Sequence, residues 1–281
     1  MNQEEVDKLL KKLEIELKIK GYTKATIKTY LIHNAAFLKF VNKDPLEVTT
    51  EDVKAYQASL TEKDPKPASI VLKLSAIKFF FNKVLKHKII NDEIEYPKSQ
   101  KKIPDALTKE EVQKLFLAVD NPKHKLLLEF MYGSGLRVGE CVNFKIKDLN
   151  FDNHTAKVMS GKGNKQRMII LSKDFVLKVK EYLDKRDNKT DYLFPAKSLD
   201  KPITVRMAQK VIDKTAEKAG FKKRVYCHIL RSSFATHLLE NDVDIRYIQE
   251  LLGHSDLSTT QRYTKVNMEQ LRKIKSPLDN L

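Results

Sequence analysis

Hydrophobic residues recur at helical spacing through the first segment of the chain. Apolar residues fall broadly on one side of a helix at Val6, Leu9, Leu10, Leu13, Ile15 and Leu17, and Gly21 then ends the pattern. This spacing predicts an amphipathic helix, which becomes stable when its apolar stripe is buried against neighbouring elements. The chain is therefore expected to begin with a helical domain.

Three further helices are predicted in the same region. Thr23 is suited to cap the second helix, because its hydroxyl group can accept a bond from a free backbone N–H group, and Thr49 and Thr50 open the third helix. The fourth helix, from about Ala68 to His87, is the most apolar. Four helices joined by short loops predict a small helical bundle.

The periodic pattern stops in the segment YPKSQKKIPDALTKEE. Its two prolines and its lysines, without any periodicity, indicate a linker. Thr108 and Glu111 then have the spacing of a capping box, which starts a second domain. We expect domains at residues 1–97 and 107–281, joined by a linker at residues 98–106.

The second domain is predicted to be helical around a short β segment between about Leu149 and Leu171. TAKVM and RMIIL are typical of strands, whereas DNH and GKGNK are typical of turns. Helical spacing returns after Leu171. The expected fold class is mainly α with a small antiparallel β-sheet, in two domains.

The charge of the chain indicates an anionic partner. Lysine and arginine total 53 against 37 acidic residues, which gives a formal net charge of +16. Such a surplus favours DNA or RNA, although a lysine-rich surface can also reflect genome composition or growth temperature. All nine arginines lie at or beyond Arg137. Their planar guanidinium groups suit fixed contacts with phosphate.

Other classes of protein are disfavoured by composition. The two cysteines, Cys141 and Cys227, have the spacing of neither a zinc site nor a disulfide framework. We expect no signal peptide, and the sequence has no apolar run of about 18 residues. We therefore expect a cytoplasmic protein with no metal, no cofactor and no membrane contact.

Two glycine-containing segments have residues that can bind phosphate. In YGSGLRVGE, Gly133 and Gly135 permit a tight turn, and Arg137 stands at a predicted helix start. Glu140, one turn later, can hold either Arg137 or a histidine in place. In SGKGNKQR, Lys162 stands at the tip of a predicted hairpin turn. Each segment also has an ordinary explanation, as a surface salt bridge in the first case and a simple turn in the second.

Two C-terminal segments contain candidate acid–base and nucleophilic groups. In HILRSSFATHLL, His228 and Arg231 are one helical turn apart and share a face. In LLGHSDLSTTQRYT, His254 precedes Tyr263 by nine residues. Together these groups suit a metal-free reaction at a phosphodiester. Structural roles stay open for each of them, and His237 is a rival for the functional histidine.

The order of these residues resembles that of the tyrosine recombinases, the integrase family of site-specific recombinases. GSGLRVGE, GKGNKQR, HILRSSFATHLL and LLGHSDLSTTQRYT are similar to Xer-type members, and KGYTKATIKTY is similar to the family's N-terminal helical core-binding domain. The resemblance covers nearly the whole chain. It departs from many members at Ser232, where they have histidine, and in the lysine-rich tail after Tyr263.

The resemblance implies a set of catalytic residues, with Tyr263 as the nucleophile and Glu140 in support. The six catalytic residues are Arg137, Lys162, His228, Arg231, His254 and Tyr263. Lysines on polar helix faces, in the linker and in the hairpin are candidates for contact with the DNA backbone, although each also fits an ordinary solvated surface. These are Lys24, Lys28, Lys73, Lys78, Lys101, Lys102 and Lys165.

The resemblance also implies an activity and its partners. We expect an enzyme that cleaves and rejoins double-stranded DNA through a 3′-phosphotyrosyl intermediate and a Holliday junction, without metal or ATP. It would act as a homotetramer on two DNA sites, with its C-terminal tail docked on a neighbouring protomer and with a partner recombinase or DNA motor protein as further partners. Its leading role is resolution of chromosome dimers at a dif-like site, in association with the nucleoid. The alternatives are an integrase or resolvase of a mobile element or plasmid, a type IB topoisomerase, and a non-catalytic DNA-binding protein.

Overall fold

The computed structural model describes residues 3–62, 66–91, 93–97, 105–159, 166–186 and 190–253. The chain divides into two compact units, Met1–Lys101 and Lys102–Leu281. This division falls inside the segment predicted to be the linker, while the domain boundaries themselves stay a prediction. Within the described ranges, no helix is long and apolar enough to cross a membrane.

The first unit is a helical bundle, as the sequence predicts. Thr23 caps the second helix by accepting a hydrogen bond from the N–H of Thr26 at 3.2 Å, and Gly21 has a left-handed φ of +69° after the first helix. The α-helices in the described part of this unit are α1 (Gln3–Ile19), α2 (Lys24–Val41), α3 (Thr50–Glu62) and α4 (Pro67–Phe80).

The end of the fourth helix differs from the prediction. A π-helical segment, Phe81–Leu85, follows α4, and Lys86 then adopts a left-handed φ of +56°. The sequence predicts one continuous helix from Ala68 to His87. The difference arises because hydrophobic spacing does not distinguish a single π turn from the α-helix that precedes it.

A buried amide joins two helices of the first unit. The Nδ2 of Asn34 donates to the carbonyl of Tyr30 at 2.9 Å and to the carbonyl of Ala76 on α4 at 3.1 Å. Fully buried apolar side chains, including Phe37 and Leu74, form the core of the same unit. The first unit therefore has a hydrophobic core of its own, as expected of a domain.

The second unit is mainly helical. Its first helix begins with the predicted capping box, because Thr108 Oγ1 accepts from the N–H of Glu111 at 3.2 Å and Glu111 Oε2 accepts from the N–H of Thr108 at 2.9 Å. The α-helices in its described part are α5 (Lys109–Leu117), α6 (Pro122–Gly133), α7 (Val138–Val142), α8 (Lys173–Asp184), α9 (Val205–Lys218), α10 (Cys227–Glu240) and α11 (Ile245–Leu252). A 3₁₀ turn, Ile146–Asp148, precedes the sheet.

A small antiparallel sheet lies between α7 and α8. Its strands, in spatial order, are β1 (Leu149–Asn150), β2 (Thr155–Met159) and β3 (Gln166–Ile170). The second strand coincides with the predicted TAKVM, and the third begins one residue before the predicted RMIIL. The predicted fold class, mainly α with a small antiparallel sheet, is therefore confirmed.

Packing in the second unit places three segments near one another. Helix α10 packs against α6 and α11, and α11 packs against β3. Phe130 of α6 stacks on Phe175 in the main core at 4.7 Å between ring centroids. A smaller apolar cluster containing Phe234 and Leu252 joins α10 to α11. The turn after α6, the first half of α10 and the end of α11 thereby meet beside β3.

Candidate active site

The turn between α6 and α7 determines where Arg137 lies. Gly135 has a left-handed φ of +60°, and a Cβ at this position would lie 2.5 Å from a ring carbon of Phe234 and 2.9 Å from a methyl carbon of Leu252. Gly133 still belongs to α6. The predicted tight turn therefore depends on Gly135 alone, since Gly133 has an ordinary helical position.

We expect Gly135→Ala to lower the free energy of unfolding by about 2 kcal/mol or more. The substitution combines a strained φ with overlap against two packed side chains. The matched control is Gly133→Ala, since a Cβ there meets nothing within 4 Å, and helical Gly→Ala changes stabilise by about 0.5–1 kcal/mol. Urea denaturation of both full-length variants measures the difference. Equal stability of the two variants would contradict the packing described for Gly135.

Arg137 is held from its own helix. It precedes the first residue of α7, and both oxygens of Glu140 accept from it, Oε2 from the backbone N–H at 2.8 Å and Oε1 from Nη1 at 2.9 Å. The side chain of Arg137 is 42% exposed, whereas that of Glu140 is only 10% exposed. The guanidinium group is thus fixed at one edge while part of it stays accessible to an anion.

Arg231 is fully buried in the first half of α10. Its Nη1 donates to the carbonyl of Gly135 and its Nη2 to the carbonyl of Leu252, both at 2.6 Å. These two carbonyls belong to the turn before Arg137 and to the end of α11. A buried guanidinium group is costly unless its donors are satisfied, and here those donors join the two segments that frame the site.

His228 lies one turn before Arg231 on α10, and its side chain is exposed to solvent. Neighbouring protein still removes part of its hydration, and this desolvation lowers the pKa of the imidazole. The positive charges of Arg231 and Arg137 lower the same pKa further. The imidazole is therefore mainly neutral at neutral pH, since its pKa falls below the ordinary value of about 6.5. A neutral imidazole can accept a proton from a hydroxyl group.

The structure adds one residue that the sequence does not single out. Arg167 on β3 has a side chain that is only 6% exposed. Its Nη1 and Nη2 donate to Oε1 and Oε2 of Glu140 at 2.8 and 2.7 Å, and its Nε donates to the carbonyl of Leu251 at 2.8 Å. The only sequence signal is its place in RMIIL, where Arg167 and Ile169 alternate with outward residues. A charge at such an inward position requires a buried partner.

The carboxylate of Glu140 accepts bonds from two arginines at once. Burial by itself raises its pKa, but the hydrogen bond and charge of Arg167, followed by the bonds from Arg137, outweigh burial and lower the pKa to about 2. Because this pKa lies below its unfolded value, the stability that these bonds contribute is present above about pH 4.5 and is lost as pH falls toward 2. The carboxylate is therefore ionised throughout the neutral range.

His237, the rival histidine, has a structural position. It is buried, and its Nδ1 shares a hydrogen bond of 2.8 Å with the hydroxyl of Tyr132 on α6. One turn earlier on the same helix, Ser233 Oγ accepts from the N–H of Leu107 at 2.8 Å. These contacts connect α10 to α6 and to the start of the second unit. The hydrogen bond of His237 is therefore used in packing between helices.

The structure brings together four of the predicted site residues. Arg137, Glu140, His228 and Arg231 surround the start of α7 and the first half of α10, with Arg167 behind Glu140. Six further predicted residues lie outside the described part of the chain, and these are Lys162, His254, Tyr263, Lys101, Lys102 and Lys165. In the described part of the chain, no group of three or more His, Cys, Asp or Glu side chains could hold a metal ion.

Two family profiles match the chain. The profile described as "Phage integrase family" matches residues 105–270, and the one described as "Phage integrase, N-terminal SAM-like domain" matches residues 9–91. Together they cover both units. The chain therefore belongs to the phage integrase family, the tyrosine recombinases.

Within that family the chain is of the Xer type. It is 38% identical to tyrosine recombinase XerA of Pyrococcus horikoshii, over 94% of this chain and 91% of the relative. A crystal structure of XerA recombinase is 32% identical, with a TM-score of 0.55, over 95% of this chain and 96% of that one. XerH site-specific recombinase bound to difH substrate shares the fold, with a TM-score of 0.73 and 23% identity over 90% of this chain and 79% of that one.

Proposed function

We propose that this chain cleaves and rejoins double-stranded DNA through a covalent 3′-phosphotyrosyl intermediate at Tyr263. The observation that carries the proposal is the arrangement of Arg137, His228 and Arg231, in which two fixed guanidinium groups lie around a mainly neutral imidazole. Such an arrangement suits a phosphodiester, whose oxygens gain negative charge as a fifth oxygen adds to phosphorus. Membership of the tyrosine recombinases supports the same conclusion.

The cleavage step would replace the bond between phosphorus and O5′ of the DNA with a bond between phosphorus and the tyrosine oxygen. The Oη of Tyr263 would attack phosphorus while the bond to O5′ breaks, with His228 taking the tyrosine proton. Lys162 would give a proton to O5′, so that a free 5′-hydroxyl is released. The phosphotyrosyl ester retains the energy of the broken bond, and rejoining therefore follows as the reverse step without ATP.

The remaining residues would stabilise charge at phosphorus. Arg137 and Arg231 would bind the non-bridging oxygens, and His254 would donate a hydrogen bond to one of them. Glu140 would keep the guanidinium group of Arg137 in place. Positive charge supplied by side chains would do at phosphorus what a bound metal ion does in many nucleases.

The biological role that fits best is resolution of chromosome dimers at a dif-like site. XerH, which shares the fold, has been crystallised on its difH substrate. The enzyme would act on two DNA sites as a homotetramer associated with the nucleoid, because each of the two duplexes requires two strand exchanges. The tail after Tyr263 would dock on a neighbouring protomer, and a partner recombinase or DNA motor protein would regulate the assembly.

A recombination assay tests this function. Selection of a random-sequence duplex library on the full-length protein gives its DNA site, and a plasmid carrying two direct copies is then incubated with protein and EDTA, without ATP. We expect excision of the intervening circle. Binding without strand exchange, even when cell extract supplies partner proteins, would favour a non-catalytic DNA-binding protein. A single genomic copy of the site supports dimer resolution, whereas copies at both ends of a mobile element support the mobile-element role.

Four lysines of the first unit are proposed to contact the DNA backbone. Lys24 and Lys28 on α2 and Lys78 on α4 are exposed, and Lys73 on α4 is half-buried. Lys73 lies close enough to His33 of α2 for its charge to lower the pKa of that histidine, after the larger effect of burial. The proposed backbone contacts are therefore drawn from two adjacent helices, α2 and α4.

Replacement of all four lysines by alanine is expected to weaken DNA binding and to make it less salt-dependent. Each lost phosphate contact reduces the slope of log K against log salt by about 0.9, so the slope should fall by roughly 3–4. Fluorescence anisotropy at several salt concentrations measures the change. Lys54→Ala is the matched control. Lys54 lies on α3, not on α2 or α4, and its Nζ pairs with Oε1 of Glu51 on the same helix at 2.7 Å. An unchanged slope in the fourfold variant would remove these lysines from the interface.

A further inference from the structure

We propose that Arg167 is a positioning residue for DNA cleavage, which acts by orienting Arg137 through Glu140 and by fixing the end of α11. The inference rests on the proposed role of Arg137 at the scissile phosphate. Arg167 itself has no part in the chemistry, since its side chain is buried behind Glu140.

The carboxylate of Glu140 lies between Arg137 and Arg167. Each carboxylate oxygen accepts one hydrogen bond from Arg137 and one from Arg167, at distances from 2.7 to 2.9 Å. A bidentate guanidinium–carboxylate pair fixes the plane of both groups. Arg167 therefore determines the plane in which Glu140 holds the guanidinium group of Arg137.

Arg167 also changes the balance of charge around Arg137. If Glu140 faced Arg137 alone, the carboxylate would neutralise a guanidinium group that is accessible to an anion. With Arg167 present, two positive charges share one negative charge, and the surplus lies at Arg137, whose side chain is 42% exposed. A buried arginine thus preserves positive charge at the exposed arginine.

Arg167 is also connected to the end of α11. The Nε of Arg167 binds the carbonyl of Leu251, and Nη2 of Arg231 binds the carbonyl of Leu252. Gly253 follows with a φ of +64°, and a Cβ there would lie 2.8 Å from Cδ of Arg167. The two arginines therefore hold consecutive carbonyls at the point where the chain leads to His254. Arg167 therefore links Glu140, which holds Arg137, to the end of α11.

The experiment measures single-turnover cleavage at saturating DNA, using a nicked duplex that carries the selected site. Arg167→Met should slow cleavage by about 10- to 100-fold, the range typical of misplaced catalytic groups, while the Kd for the same duplex changes by less than about threefold. Arg167→Lys, which keeps the charge but not the bidentate geometry, should give an intermediate rate. A merely structural role would not separate the cleavage rate from DNA affinity in this way.

A matched control separates positioning from stability. Arg186 also donates to backbone carbonyls in this unit, those of Tyr192 at 3.1 Å and Thr190 at 3.2 Å. Arg186→Met should lose thermal stability and keep its cleavage rate. If Arg167→Met loses stability and retains the rate in the same way, Arg167 is structural and the inference is overturned.

A double-mutant cycle tests the path through Glu140. Because Arg167→Met leaves a buried carboxylate with fewer partners, Arg167→Met combined with Glu140→Gln provides a variant without that unpaired charge. If Arg167 acts in part through Glu140, the loss of cleavage rate in the double variant should be smaller than the product of the two single losses, and the loss beyond Glu140→Gln alone comes from the bond of Arg167 to Leu251. Fully multiplicative losses would contradict the proposed path.

The outcome is distinguishable from failure of the proposed function. If Arg137→Ala cleaves as fast as the unmodified chain, the proposed role of Arg137 fails, and the inference about Arg167 fails with it. If Arg137→Ala is inactive and Arg167→Met cleaves at the full rate, only the inference about Arg167 is overturned.

Discussion

Tyr263→Phe is expected to abolish the covalent protein–DNA complex and to leave DNA affinity within about twofold. Phenylalanine lacks the hydroxyl that would attack phosphorus, and loss of a covalent nucleophile typically reduces the rate by more than about 10⁴-fold. Denaturing gel electrophoresis of the protein with a nicked suicide duplex measures the complex, and fluorescence anisotropy measures binding. Among changes that remove a single oxygen or nitrogen atom, the proposed mechanism predicts the largest loss of cleavage for this one.

Another tyrosine provides the control for this result. Tyr247 on α11 is 66% exposed and stands sixteen residues before Tyr263. Tyr247→Phe also removes a hydroxyl from an accessible ring, and we expect it to form the complex at the unmodified rate. A complex that persists in Tyr263→Phe and disappears in Tyr247→Phe would assign the nucleophile to α11 instead.

Arg137→Ala and Arg231→Ala are expected to give similar losses of cleavage and different losses of stability. Removal of one preorganised donor to a developing oxyanion costs about 3–4 kcal/mol, or roughly 10²–10³-fold in rate. Arg137 is partly exposed, and Glu140 keeps its bidentate partner when Arg137 is replaced. The free energy of unfolding of Arg137→Ala should therefore change by less than about 1 kcal/mol.

Replacement of Arg231 adds a structural penalty to the catalytic one. Its side chain is fully buried and donates to two carbonyls, so alanine leaves those acceptors unsatisfied and opens a cavity between α10 and α11. We expect a loss of about 2–4 kcal/mol in unfolding free energy. Urea denaturation and single-turnover cleavage of the two variants measure both effects. A variant of Arg137 that is as unstable as that of Arg231 would contradict the different environments described for the two guanidinium groups.

Much of the fold follows from local pattern. The boundaries of β2 match TAKVM, and the capping box at Thr108 and the cap at Thr23 lie where the sequence predicts them. These features depend on contacts within about four residues, which spacing alone reveals. The π-helical segment after α4 was missed because it has the same apolar periodicity as the helix that it ends.

The candidate site was predictable only in part for a related reason. Glu140 and Arg137 are three residues apart, so their contact can be anticipated from helical geometry. Arg167 lies 27 residues from Glu140 and 84 residues from Leu251, and nothing local to β3 specifies those partners. The two carbonyl bonds of Arg231 likewise depend on how α6, α10 and α11 pack. Tertiary packing, which spacing does not encode, supplies this part of the site.

The most direct test of the central claim is identification of the residue that carries the DNA. The full-length protein is trapped on a nicked suicide duplex in EDTA, digested with trypsin and nuclease, and analysed by mass spectrometry. The account predicts a peptide in which Tyr263 is joined to a 3′-nucleotide, together with a free 5′-hydroxyl on the released strand. A nucleotide on another residue, or a 5′-phosphoryl linkage to Tyr263, would contradict it.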